Sequence, residues 1–429
     1  MNVEKRTIKQ GITLNYVFCD KFTTNTFTVH FLMPLTERNA SCYSLLSRVL
    51  KKGCEKYPTQ EALNQRLEEL YSSTVSAGVN KMGEVESFFV SANMLEDRFS
   101  FDGMSIEREA VAMANEILFH PLLVDGCFDK DIVAREKKAQ INRIRALINN
   151  KSQYAMARCR ENMCEGEAYA IPVIGTEKTL SEIDSATLYN AYIELLSSAR
   201  VEIVYIGSKP VDAAVAMAND FVSTLAPRPS PSLTCEIVRS AKEVRSVTET
   251  VAATQGNLVM GFRTDCVSGE EDEAAFKLFD SIYGSSAVSK LFVNVREKLS
   301  LCYHCSSRRD MHKGVMYVVA GIENANLEVA KREILAQLEE VCLGHITENE
   351  MIYAKEALLD GLRGMEDDQD AMESWCFHHM LRDSVESLSD LSEKIDRLTV
   401  EDVVRVARRV TLDLVYFLEG VSEEEGCDD

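Results

Sequence analysis

No run of apolar residues in this chain reaches the roughly 18 that a membrane span requires. The opening stretch, MNVEKRTIKQGITLNYVFCD, lacks the apolar core and small-residue site of a signal peptide, so the expected location is cytoplasmic. Basic charge is short as well. The 47 Lys+Arg stand against 68 Asp+Glu, a net charge of -21, which argues against a nucleic-acid footprint. There is no nucleotide-binding loop, no run of phosphate-binding glycines and no triad motif, so an independent enzyme of those kinds has no support. Proline is scarce, eight in all, and three of them fall in LAPRPSPS, Leu225 to Ser232. Cysteine is not scarce, but thirteen is an odd number without dense spacings, and that favours reduced thiols over a disulfide framework.

What is present is enough for more than one core. A chain of 429 residues with 46% hydrophobic content exceeds what one core usually serves. In the first half, ITLNYVFCD and TNTFTVHFLMPLT read as paired antiparallel strands, with Phe27, Val29 and Phe31 alternating with Thr28 and His30. YSLLSRVLKKG follows as a helix, and TQEALNQRLEELY as another behind a candidate N-cap, Thr59. After the strand GEVESFFVSANML come helices, and the half ends on a helix leading into the strand Val201 to Ile206.

The proline-rich stretch reads as a linker, because neither a helix nor a central strand runs through it. Beyond it the order repeats. GNLVMGFRTDC takes the place of TFTVHFLMPLT, and LTVEDVVRVARRVTLDLVYFLEG takes that of LYNAYIELLSSARVEIVYIGS. NNKSQY and MEDDQD occupy matching positions as polar breaks between two helices. The fold class expected is α+β: two similar domains, each a mixed or antiparallel sheet with helices packed on it, forming a clamshell around a cavity. The boundaries expected are 1–225, a linker at 226–235, and 236–429. The final SEEEGCDD reads as a solvated tail.

Two segments carry a family resemblance. YAIPVIGTEKTLSEIDSATLYNAYIELLSSARVEIVYIGS holds a G-T-x-x-x-L run, a helix and a closing strand, and SSAVSKLFVNVREKLSLCYHCSS holds R-E-x-x-S-L-C-Y. With these the chain resembles the insulinase, pitrilysin and mitochondrial-processing-peptidase family of zinc endopeptidases. Within it the chain looks most like the zinc-free insulinase-like proteins of Gram-positive bacteria named for an association with elongation factor P modification. The resemblance implies two similar domains closing around a substrate cavity. It also implies a metal motif H-x-x-E-H on a first-domain helix, in which two histidines on one helix face share a zinc ion and the glutamate activates water.

Setting KKGC on the family's helix stop places Ser44 and Arg48 at the histidine positions and Ser47 at the glutamate, all on the free face of the helix. The third ligand falls near Asn142 or Arg143, with Arg143 the position assigned, and Glu136 matches a non-ligand glutamate. None of Ser44, Ser47, Arg48 and Arg143 can replace its counterpart, so the chain is expected to hold no zinc or other cofactor and to cleave nothing alone. Arg296 and Tyr303 match the family's Arg and Tyr, which hold the substrate backbone near the scissile carbonyl; the family's intervening glycine is Ser300 here. The expected role is a non-metal subunit of a heterodimeric metallopeptidase. Its partners would be a homologous subunit carrying the zinc motif and an extended peptide, with neither nucleic acid nor membrane involved. A noncatalytic binding or scaffold protein is the alternative.

Other clusters compete for attention. In LCYHCSS, alternation along a strand puts Cys302 and His304 on one face and Cys305 on the other, which disfavours a three-ligand site. His378 and His379 are neighbours on a helix, so one buried and one exposed histidine is expected. SRRD, Ser307 to Asp310, reads as a solvated turn that could alternatively help hold an acidic peptide.

Overall fold

Side chains alternate along extended backbone, so Phe27, Val29 and Phe31 enter one apolar core from a single face of the strand Thr24–Pro34. The structure, a computed structural model, describes residues 1–299 and 302–421, and of Tyr303 the backbone alone. The Ser300 position and the tail SEEEGCDD lie outside the described residues.

The first half contains β1 Glu4–Lys9, β2 Ile12–Phe18, β3 Thr24–Pro34, α1 Glu37–Val49, α2 Gln60–Glu69, β4 Thr74–Met82, β5 Val85–Leu95 and α3 Ile106–Phe119. A short hairpin, β6 Leu123–Val124 with β7 Cys127–Phe128, precedes α4 Lys130–Arg145, α5 Lys151–Met163, α6 Glu177–Ser181, α7 Ser185–Ser198, β8 Arg200–Gly207 and α8 Val211–Phe221. The second half contains β9 Arg245–Ala252, β10 Gly256–Arg263, α9 Glu273–Asp280, a wide helical stretch Leu291–Lys298, β11 Cys302–Asp310 and β12 Val315–Ile322. It ends with α10 Leu327–Cys342, α11 Glu348–Met365, α12 Gln369–His379, α13 Leu388–Arg397, α14 Val400–Ala407 and β13 Thr411–Val421. Thr59 does cap α2, its side chain accepting from Ala62 N.

One sheet runs β1-β2-β8-β3-β5-β4, and the other β11-β12-β10-β13-β9. Reading the second backwards matches β9, β13, β10, β12 and β11 to β2, β8, β3, β5 and β4. In both, the only parallel pairing among these strands joins the last strand of the half to an early one, β8 to β2 and β13 to β9. The repeat inferred from the sequence is thus a repeat of topology. The expected pairing of β2 with β3 does not occur, because β8 lies between them. β8 is buried from Val201 through Gly207, and such a strand is stable only with neighbours on both edges and cover on both faces.

The chain forms two units. One holds Met1–Arg145, Ile171–Thr234 and Met365–Ser387, and the other holds Ala146–Ala170, Cys235–Gly364 and the residues from Leu388. This division differs from blocks at 1–225 and 236–429 in two segments, each containing a helix that covers the other half's sheet. In the first unit, α1, α3 and α7 pack one face of the sheet, and α12 covers the other with Met372, Cys376 and Phe377 over Val17, Leu32 and Val204. In the second unit, α9, α10 and α14 pack one face, and α5 covers the other with Ala155, Cys159 and Met163 against Val259, Tyr317 and Tyr416.

Both exchanged helices are fastened alike. NNKSQY supplies Asn150, which caps α5, and MEDDQD supplies Asp368, which caps α12. At the far end of α5, Met163 O accepts from Arg245 Nη2 at 2.8 Å and Arg263 Nη2 at 3.1 Å. At the far end of α12, Met380 O accepts from Lys5 Nζ at 2.8 Å and Arg200 Nη2 at 3.4 Å. These cations meet the negative end of a helix dipole and carbonyls that have no intrahelical donor.

Each group is backed by a carboxylate at the same place in the repeat, Glu202 in V-E-I-V-Y and Asp413 in L-D-L-V-Y. Arg200 Nε donates to Glu202 at 2.7 Å, and Arg263 Nε donates to Asp413 at 2.8 Å. Arg263, 2% exposed, also donates to Glu167 at 2.6 Å and holds that carboxyl below its usual range despite burial.

Replacing Arg263 by Met takes from Asp413 its buried partner, leaving the half-exposed Arg245 at 3.1 Å, and breaking a buried pair costs about 3–5 kcal/mol. Urea unfolding is expected to show a loss of that order, and a loss under about 1 kcal/mol would contradict the fastening role. A second prediction concerns Glu86 on β5, fully buried with neither carboxylate oxygen hydrogen-bonded. Burial raises its pKa well above the ordinary value, with Lys81 opposing. The protonated carboxyl therefore favours the folded state fully below the ordinary carboxylate range, and that contribution is lost as pH rises toward the folded pKa. Glu86→Gln is expected to raise the thermal midpoint at pH 8 and to change it little at pH 4; equal shifts at both would contradict this.

Candidate functional site

Helix α1 begins at a capped turn, Thr36 accepting from Asn39 N at 3.1 Å, and its face with Leu45, Leu46 and Val49 enters the core. The turn Leu50–Lys52 continues it as a tighter helix, and Gly53 ends it. A Cβ at Gly53 would stand 2.7 Å from Pro58 O, so the close return of the chain requires glycine there. Gly175, of the G-T run, has φ +77°, and a Cβ on it would stand 2.7 Å from Ser41 Cα, so this loop lies directly on α1.

The face bearing Ser44, Ser47 and Arg48 is not free. Ser44 is 3% exposed and Ser47 is 7% exposed. Helix α4 turns Val133, Glu136 and Gln140 inward at spacings of three and four, one helix face, and α1 packs on it. Gln140 Nε2 donates to Ser44 Oγ at 2.8 Å and to Ile174 O at 3.2 Å. Ser47 Oγ donates to Ser44 O at 2.8 Å, within its own helix. Arg48 Nη2 lies 3.0 Å from Glu136 Oε2, and Lys52 Nζ lies 3.2 Å from Glu136 Oε1.

Positive charge collects around this one buried carboxylate. Lys51, which donates to Ala77 O on the edge strand β4 at 3.2 Å, has its pKa lowered by burial first and then by Arg48, Lys52 and Arg143. Arg143 and Asn142 are both exposed. Gln140, which touches Ser44, was missed by the sequence reading. Its position, i+4 from Glu136 on the inward face, was the available signal.

In the second unit, Arg296 is exposed with its guanidinium 4.5 Å from the Phe292 ring centroid. The Tyr303 side chain lies outside the described residues. The alternation expected through LCYHCSS fails. Cys302 pairs with Ile322 and Cys305 with Ala320, so β11 carries one extra residue, a β-bulge. Cys302 and Cys305 therefore share a face, and His304 lies on the other against Gly321. SRRD is not a turn but the end of β11. Ser307 is buried and donates to Asp280, which Arg309 also meets. His379 is buried and His378 exposed, as expected, with His379 stacked on Trp375 at 4.1 Å.

Residues 182–358 match the family model described as Peptidase M16 inactive domain. YmfF of Bacillus subtilis (strain 168), described as a probable inactive metalloprotease, is 26% identical over 410 residues, 96% of each chain. The crystal structure of a conserved protein from Enterococcus faecalis V583 is 27% identical, with a TM-score of 0.90 over 99% of this chain and all of that one. Over these residues the chain is similar to M16 peptidases described as inactive. A peptidase M16 inactive domain from Pseudomonas fluorescens, 18% identical, shares the fold with a TM-score of 0.81 over 98% of this chain and 99% of that one.

The H-x-x-E-H motif that the resemblance implies finds no His or Glu at these α1 positions. Ser44 Oγ is taken by Gln140, Ser47 Oγ by its own helix, and Arg48 places a guanidinium against Glu136. A zinc ion here would face Arg48, Lys51 and Lys52 in place of neutral imidazoles. Among the described residues no three His, Cys, Asp or Glu side chains gather into a metal-holding group. The residues do not fit zinc, and the chain is a catalytically incomplete peptidase-fold protein.

After equilibration with zinc and gel filtration, the protein is expected to retain no stoichiometric metal at this site. Bound zinc that disappears on Glu136→Gln would overturn that expectation.

Proposed function

We propose that the chain is the non-metal subunit of a heterodimeric metallopeptidase. A homologous subunit carrying the zinc motif supplies metal, water and general base. Arg296 and Tyr303 donate to the substrate carbonyl as it becomes an oxyanion. Donors of this kind, aimed where charge develops, are worth about 3 kcal/mol each. The substrate is an extended peptide added as a strand to a sheet edge.

The observation that carries the reading is an asymmetry of loss. The α1–α4 helix pair is built and packed, with an Arg48–Glu136 ion pair where the resemblance would put metal ligands. Arg296, by contrast, is exposed, with its guanidinium lying over the Phe292 ring. Twelve free thiols among the described residues suit a reducing compartment and support a cytoplasmic location. The noncatalytic scaffold remains the second reading, since it accounts for the lost metal motif equally well.

The test mixes this chain with a subunit carrying an intact zinc motif and follows peptide cleavage. Arg296→Ala and Tyr303→Phe are each expected to lower kcat about 10²–10³-fold with the partner's zinc content unchanged. Equal cleavage by either variant would sink the complementation reading. Peptide binding without cleavage in the wild-type mixture would favour the scaffold.

A further inference from the structure

Cys302 and Cys305 stand in a C-x-x-C spacing that the bulge in β11 brings to one face. Their partners Ile322 and Ala320 are two residues apart on β12 and so share a face. Both cysteines meet the same apolar cluster, Cys305 buried within it and Cys302 half-buried at its margin. Strand positions two apart are separated by about 6.6 Å. That is inside the range of Cα separations, about 4.4–6.8 Å, that a disulfide spans.

The two thiols are also chemically unequal. A hydrogen bond with Cys305 draws the Cys302 pKa below its ordinary value, and the Arg296 guanidinium lowers it further against the effect of burial. The same bond and burial push Cys305 up. A half-exposed thiol beside a cation is the one that ionises and attacks, and a buried neighbour is the one that resolves.

We propose that Cys302 and Cys305 are a redox-active dithiol that exchanges with low-molecular-weight disulfides. The Cys302 thiolate attacks one sulfur of the disulfide RSSR, forming a mixed disulfide with one RS group and expelling the other as thiolate. Cys305 then gives up its proton, and its sulfur attacks Sγ of Cys302. The second RS group leaves as thiolate, and the Cys302–Cys305 disulfide closes. Two protein thiols are oxidised, one external disulfide is reduced to two thiols, and the two protons released end on those thiols. The proposal does not depend on the peptidase-subunit reading, although Tyr303 lies between the two cysteines in sequence.

The full chain, reduced and then exposed to oxidised glutathione, is quenched by alkylation and mapped by peptide mass spectrometry. The wild type is expected to yield a Cys302–Cys305 disulfide. Cys305→Ser and Cys305→Ala are expected to accumulate glutathione on Cys302, and Cys302→Ser to carry none on Cys305. In the reduced wild type, which needs no variant to fold, Cys302 is expected to alkylate several-fold faster at pH 7 than the half-buried Cys127, Cys235 and Cys342, because its thiol ionises more readily. A mixed disulfide on Cys302 that persists in the wild type overturns the resolving role of Cys305. Alkylation of Cys302 no faster than the three references overturns the proposal.

Discussion

A buried helix end must find donors for its last carbonyls, and this protein meets that requirement twice with one arrangement. Arg245 and Arg263 hold the end of α5, and Lys5 and Arg200 hold the end of α12. Asp413 and Glu202, at matching places on the last strand of each half, orient the arginines. Without these groups two of the four sheet faces would lose the helix that covers them. The polar breaks that start α5 and α12 follow from the same constraint, since the chain must leave one unit before it can cap a helix in the other.

The α1 face to which the resemblance assigns a metal motif follows the same logic of satisfied groups. Core contacts of α1 come from Leu45, Leu46, Val49 and Leu50, on a different face from Ser44, Ser47 and Arg48. That face can therefore change without disturbing the core. Its replacement is not neutral polar surface. Gln140 closes on Ser44, and Arg48 and Lys52 lie against the buried Glu136 carboxylate, with Arg135 more distant at 3.9 Å. Where the resemblance would put a dication, cations of the chain itself occupy the surroundings.

The β11 bulge joins two features that the sequence presents as unrelated. One extra residue in the strand turns Cys302 and Cys305 toward each other and places His304 on the opposite face. The Arg296 guanidinium, singled out for substrate carbonyls, also lowers the pKa of Cys302. Any change in the charge or bonding of Cys302 is thus felt next to the residue on which the proposed function rests.

Much of the local structure was legible without coordinates, because it depends on neighbours in sequence. The alternation of Phe27, Val29 and Phe31, the Thr59 cap, the apolar stripe of α1 and the polar breaks are set by periodicity and capping chemistry within a few residues. What the sequence could not convey depends on partners tens or hundreds of positions away. The insertion of β8 between β2 and β3, the exchange of α5 and α12, the closure of Gln140 on Ser44 and the bulge that pairs two cysteines were each decided by burial and hydrogen-bond satisfaction across the fold, and no local pattern encodes which distant group provides either.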